Sequence, residues 1–106
     1  MLVTPWSTDL LNDQGFYRDF DSWQPEHVVH LQHAQELSSE HWQVIHCLRQ
    51  FYRDYERSPN MRLLVKSLKD PHPELANSQR LMQLFGESPA REACRLAGLP
   101  KPKNCL

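Results

Sequence analysis

Ser38-Ser39-Glu40-His41-Trp42-Gln43-Val44-Ile45-His46-Cys47-Leu48-Arg49-Gln50-Phe51-Tyr52-Arg53-Asp54-Tyr55 is the stretch that decides the fold. Trp42, Ile45, Leu48, Tyr52 and Tyr55 recur at steps of three and four, the period of a helix with one buried face. Val44, Cys47 and Phe51 widen that face, and either Ser38 or Ser39 can cap the first turn. The spacing predicts a long helix as the spine of the core. Downstream, Ser58-Pro59 reads as a cap followed by a first helical residue, and Met61, Leu64, Val65 and Leu68 mark one apolar stripe that ends at Asp70-Pro71-His72-Pro73. Asn77 can cap a short helix carrying Leu81, Leu84 and Phe85. Ser88-Pro89 opens a last helix whose Ala90, Ala93, Cys94 and Ala97 permit close packing, and Gly98 is a natural stop.

Upstream of the spine, Pro25 opens a predicted helix over 25–35 with Val28, Val29 and Leu31 on its buried face. Residues 1–24 carry the apolar pairs Leu2-Val3, Leu10-Leu11 and Phe16-Tyr17, broken by Pro5, Asn12-Asp13-Gln14-Gly15 and Asp21-Ser22. These predict a small β meander with a turn near Gly15. The fold class read from the chain is therefore α+β and mostly helical. A meander (1–24) packs on an array of about five helices (25–97), and an extended arm (98–106) follows. At 106 residues this is one domain, without internal repeats or low-complexity segments.

A net charge of −1, from 12 Lys and Arg against 13 Asp and Glu, gives no global attraction to nucleic acid or anionic membrane. Locally, residues 90–106 hold Arg91, Arg95, Lys101 and Lys103 against Glu92 and the terminal carboxylate, a basic end suited to an acidic surface or RNA. No stretch is long enough to span a membrane and no secretory pattern opens the chain, so a cytoplasmic location is expected. Three cysteines, Cys47, Cys94 and Cys105, form no metal-binding pair and no disulfide framework.

Several chemistries can be weighed. His27, His30 and His33 share a helical spacing, but the third is rotated about 240° from the first at about 100° per residue, and a solvated helix face fits them better than a metal site. His41 and His46, five apart, do not share a face. Gly15, Gly86 and Gly98 are too scattered for a phosphate loop, and no serine hydrolase signature exists. No metal or cofactor is called for. Two helices joined at Arg57-Ser58-Pro59, the second carrying Arg62, Lys66 and Lys69, imitate a helix-turn-helix reader of nucleic acid, though the near-neutral charge and the wet-face placement of those cations argue against it.

The chemically loaded feature is the end, Gly98-Leu99-Pro100-Lys101-Pro102-Lys103-Asn104-Cys105-Leu106. Pro100 and Pro102 keep the backbone extended, and eight residues from Gly98 to Cys105 span roughly 25 Å at about 3.3 Å per residue. Lys101 and Lys103 favour the Cys105 thiolate and the terminal carboxylate opposes it. A thiol so carried can enter another protein's active site; the plainer reading is a frayed tail. Prenylation requires the cysteine four residues from the end and does not apply. Ten residues separate Cys94 from Cys105, so the arm can fold back toward a reversible disulfide if the Cα atoms come within about 4.4 to 6.8 Å. A packed Cys94 without redox role is the alternative.

The run Phe51-Tyr52-Arg53-Asp54-Tyr55-Glu56-Arg57-Ser58-Pro59-Asn60-Met61-Arg62-Leu63-Leu64-Val65-Lys66, then Ala93-Cys94-Arg95-Leu96-Ala97-Gly98-Leu99-Pro100-Lys101-Pro102 and the penultimate Cys105, resembles the TusE/DsrC family of sulfur-relay proteins. Glu40-His41-Trp42, Gly15 and Trp23 agree with it. The chain departs from the family in the linker 70–76, at Ala76-Asn77 and at Phe85-Gly86, all outside the arm. The resemblance implies a small α+β fold and a sulfurtransferase that works through a cysteine persulfide without turning over a small molecule alone. In the TusE branch the position of Cys105 accepts a persulfide from an upstream relay complex. It presents the sulfur to the 2-thiouridylase that modifies the wobble uridine of certain tRNAs, with tRNA met through that acceptor complex. Arg95, Lys101 and Lys103 are the expected supports of arm and thiolate. Cys94 matches the second cysteine of the DsrC branch, whose partner is dissimilatory sulfite reductase and whose two thiols pair; a carrier serving sulfur oxidation is the related option.

Overall fold

The computed structural model describes residues 4–31 and 36–103. Leu2-Val3, His33, the expected helix end near Gln35, Cys105 and Leu106 lie outside the described residues. Five α-helices carry the fold: α1 (Val28–Leu31), α2 (Ser39–Tyr55), α3 (Met61–Leu68), α4 (Ser78–Phe85) and α5 (Pro89–Ala97).

The β meander expected over residues 1–24 is not formed, and the α+β class is corrected to a helical fold, since no strand occurs among the described residues. A single antiparallel bridge joins Leu11 to Tyr17. Its turn does fall at Gly15 (φ 87°), where Asn12 closes the loop by accepting from the backbone N–H groups of Gln14 and Phe16. Beyond it, short 3-10 turns replace strands, Thr8–Leu10 capped by Ser7 and Phe20–Ser22 capped by Asp19. The apolar residues come as adjacent pairs, and because adjacent strand residues face opposite ways a strand would bury only one of each pair on a single face. Phe16 and Tyr17 are both buried, which an irregular segment pressed between helices allows.

α2 begins where expected. Ser38 and His41 form a reciprocal cap, with Ser38 Oγ accepting from the His41 N–H and His41 Nδ1 accepting from the Ser38 N–H. The Leu84 carbonyl can only accept, so His41 Nε2 carries the ring proton and donates to it at 2.7 Å, stapling α2 to the end of α4. Glu40 and Arg80 add a paired contact between the same helices. On its core face α2 buries Val44, Ile45, Leu48 and Arg49; Tyr55, expected on that face, is 61% exposed. Val29 of α1 is likewise exposed, while Val28 and Leu31 are buried. α3 starts two residues later than Ser58-Pro59 suggests, because Asn60 is the residue whose side chain caps it, accepting from the Leu63 N–H at 2.9 Å.

The hub is α5 rather than α2. It lies against α1, α2, α3 and α4, and six of its nine residues are buried. Ala90, Ala93 and Ala97 let the other helices approach closely. α5 ends at Gly98, whose φ of 79° lies in the left-handed region, with the Leu99 N–H donating to the Cys94 carbonyl at 3.0 Å. A Cβ at position 98 would come within 2.5 Å of the Trp23 ring.

Two constraints thus demand glycine there, and Gly98→Ala is expected to cost about 2 kcal/mol or more in urea unfolding. Gly86→Ala, where a Cβ meets no atom within 4 Å, bears the backbone cost alone. Equal losses in the two variants would contradict the packing of Trp23 on Gly98.

Candidate functional site

The site is the C-terminal end of α5 and the chain that leaves it. The last carbonyls of a helix have no donor within the helix and need one from elsewhere when buried. Here Trp23 Nε1 donates to the Leu96 carbonyl at 2.9 Å and Arg49 Nη1 to the Ala97 carbonyl at 2.8 Å. Arg49 Nη2 also reaches the Phe20 carbonyl at 3.2 Å. The guanidinium lies over the Phe20 ring at 3.7 Å and the Trp23 ring at 4.2 Å. Burial pushes the Arg49 pKa down to about 10, with repulsion from Arg53 in the same direction and Asp21 and Tyr17 opposing, so the group stays cationic at neutral pH. Its position beside a helix C-terminus suits a positive charge.

The chain beyond Gly98 is anchored at its base. Leu99 is fully buried, the Pro100 carbonyl accepts from Ser58 Oγ, and Pro102 is buried while Lys101 and Lys103 stay exposed. Leu99 and Pro102 therefore hold the body while Lys101 and Lys103 face solvent. A cleft of about 400 Å³ runs between this segment and the α2–α3 turn, lined by Arg57, Ser58, Asn60, Leu63, Pro100 and Lys101 among others.

Among the other residues singled out, Cys94 is fully buried on the last turns of α5. Arg95 Nε donates to Glu92 Oε1 at 2.6 Å and its Nη2 to the Leu31 carbonyl at 2.6 Å, bracing α1 against α5. His27 is buried rather than on a solvated face. Nε2 donates to the Thr4 carbonyl and Nδ1 accepts from the Tyr17 hydroxyl, both at 2.7 Å, which commits both ring nitrogens. His30 stacks on Trp6 with ring centroids 4.9 Å apart. Arg62, Lys66 and Lys69 stand exposed along α3. Arg49 was not singled out by sequence reasoning, although it stands four residues after Ile45 and three before Tyr52, squarely on the apolar stripe of α2.

The model of the family described as DsrC like protein matches residues 7–106 of this chain. The chain belongs to this family of sulfur-relay proteins. A relative named sulfurtransferase TusE, from Sodalis glossinidius, is 41% identical over 106 residues, covering 97% of this chain and 95% of that protein. The NMR structure of DsrC from Allochromatium vinosum superposes with a TM-score of 0.79 at 36% identity, covering 91% of this chain and 88% of its own. The oxidized gamma-subunit of the dissimilatory sulfite reductase, DsrC, from Archaeoglobus fulgidus gives 0.75 at 36% identity, with 91% and 90% covered. The DsrC-like match runs through the arm to its final residue.

Cys47, the half-buried thiol of α2, sits apart in chemistry. Its Sγ lies 3.6 Å from Ser67 Oγ, and burial raises its pKa above the usual thiol value while the Ser67 contact pulls it down. Less thiolate at a given pH follows, so peptide-resolved alkylation of Cys47 is expected to rise only at a pH above that of an ordinary exposed thiol. In Ser67→Ala the rise moves to still higher pH. A Cys47 that alkylates like free cysteine at neutral pH would contradict this.

Proposed function

We propose that this protein accepts sulfane sulfur on Cys105 and hands it to a tRNA 2-thiouridylase, working in the cytoplasm between an upstream persulfide donor and that acceptor. The observation that carries this reading is the family match that extends to residue 106 and so includes Cys105, joined to an arm whose base is anchored and whose lysines face solvent. The similarity to proteins named sulfurtransferase TusE over nearly the full chain favours the tRNA branch.

The chemistry needs no cofactor. The Cys105 thiolate attacks the outer sulfur of a donor persulfide, the donor's S–S bond breaks, and the donor leaves as a thiolate while Cys105 becomes a persulfide. An acceptor thiolate then attacks that outer sulfur and Cys105 returns to its thiolate. Each step exchanges one S–S bond for another without net oxidation. Lys101 and Lys103 would favour the anionic forms of both thiol and persulfide, and the terminal carboxylate would oppose them.

A second reading places Cys94 and Cys105 in a two-thiol cycle with dissimilatory sulfite reductase. It is favoured by Cys94 itself, which stands on the last turns of α5 where its carbonyl receives the Leu99 N–H as the chain turns, and by the similarity to an oxidized DsrC.

Intact mass separates the two. Incubation with a persulfide donor is expected to add about 32 Da per sulfur to the wild-type chain and nothing to Cys105→Ser; equal labelling of both removes the carrier reading. Under mild oxidation the two-thiol cycle requires a monomer lighter by about 2 Da that needs both cysteines. If Cys94→Ala still loses that mass, the second reading fails.

A further inference from the structure

Arg49, a residue only 7% exposed, makes no ion pair within 4 Å among the described residues, and its guanidinium hydrogen bonds go to two backbone carbonyls from different parts of the chain. Holding a charge there is costly, and an apolar side chain of similar volume commonly serves stability as well. What an apolar side chain cannot do is fix the position of the Ala97 carbonyl relative to Phe20 and Trp23. Arg49 spans that gap with two hydrogen bonds and two ring faces, and Trp23 holds the adjacent Leu96 carbonyl while its ring fills the space against Gly98. Everything the arm does next follows from that corner: Leu99 enters the core, Pro100 meets Ser58, and Pro102 is buried.

We propose that Arg49 is a positioning residue for sulfur transfer, fixing through the Ala97 carbonyl and the Trp23 ring the direction in which the arm leaves α5 toward Cys105. This rests on the carrier reading above. The role assigned to Arg49 involves no bond to sulfur. It acts on delivery into another protein's pocket, where misplacing a reacting group by about 1 Å costs on the order of a hundredfold, and not on capture from a small donor that comes to the thiol wherever it lies.

The test uses the full chain with Arg49→Met, Arg49→Lys and Val44→Ala, the last a core cavity that touches neither carbonyl. Loading of Cys105 by inorganic polysulfide, followed by intact mass, is expected within about twofold of wild type in all three. Delivery from the loaded protein to a tRNA 2-thiouridylase is expected to fall about tenfold or more in maximal rate for Arg49→Met, with the half-saturating acceptor concentration little changed. Arg49→Lys, which keeps the charge but replaces the fork with a single ammonium, recovers only part of that loss, and Val44→Ala delivers as wild type does. If Arg49→Met yields no folded chain, Trp23→Phe replaces it. That variant removes the indole N–H from Leu96 but keeps a ring under the guanidinium, and its delivery is expected to fall about threefold. Delivery at the wild-type rate in the variant, or an equal fall in Val44→Ala, overturns the positioning role. Failure of the wild-type chain to load sulfur on Cys105 overturns the carrier reading instead, and the loading spectra distinguish the two results.

Discussion

Two backbone carbonyls at the end of α5 are the constraint on which the molecule turns. Packing four helices around α5 buries its last turn, which removes the water that would otherwise satisfy Leu96 and Ala97. Trp23 and Arg49 supply the missing donors. Arg49 comes from α2, and Trp23 from the segment before α1, which therefore meets the end of α5. The same contact excludes any side chain at position 98 and so sets the corner from which the arm departs.

The described part of the arm, residues 98–103, is accordingly anchored to the body. Leu99 and Pro102 are held against the body, Lys101 and Lys103 are not, and the cleft beside them is bounded by the α2–α3 turn. A carrier that visits successive active sites gains from such a design, because an ordered root reduces the conformational freedom lost on each docking.

The helices were legible from residues 38–97 because period, caps and breakers coincide there. Ser38, Asn77, Pro89 and Gly98 act where their chemistry suggests. Asn60 displaced Ser58-Pro59 as the start of α3, since a side-chain cap bond outweighs the preference of proline for a first turn. The N-terminal segment misled for a different reason. Its apolar pairs say that it is buried but not how, and only tertiary contacts with α2 and α5 choose 3-10 turns over strands. In the site, the arm and its lysines were visible in the sequence. Arg49 was hidden because a lone arginine on an apolar stripe looks like an interruption, and its partners lie 29 and 48 residues away along the chain.

The most direct measurement of the central claim is single-turnover transfer of radiolabelled sulfur from the loaded protein to a tRNA 2-thiouridylase charged with tRNA. Label leaving Cys105 and appearing in 2-thiouridine, at a rate that saturates with acceptor, is the predicted result. Label that stays on the carrier, or reaches tRNA equally well from free polysulfide without this protein, would contradict it.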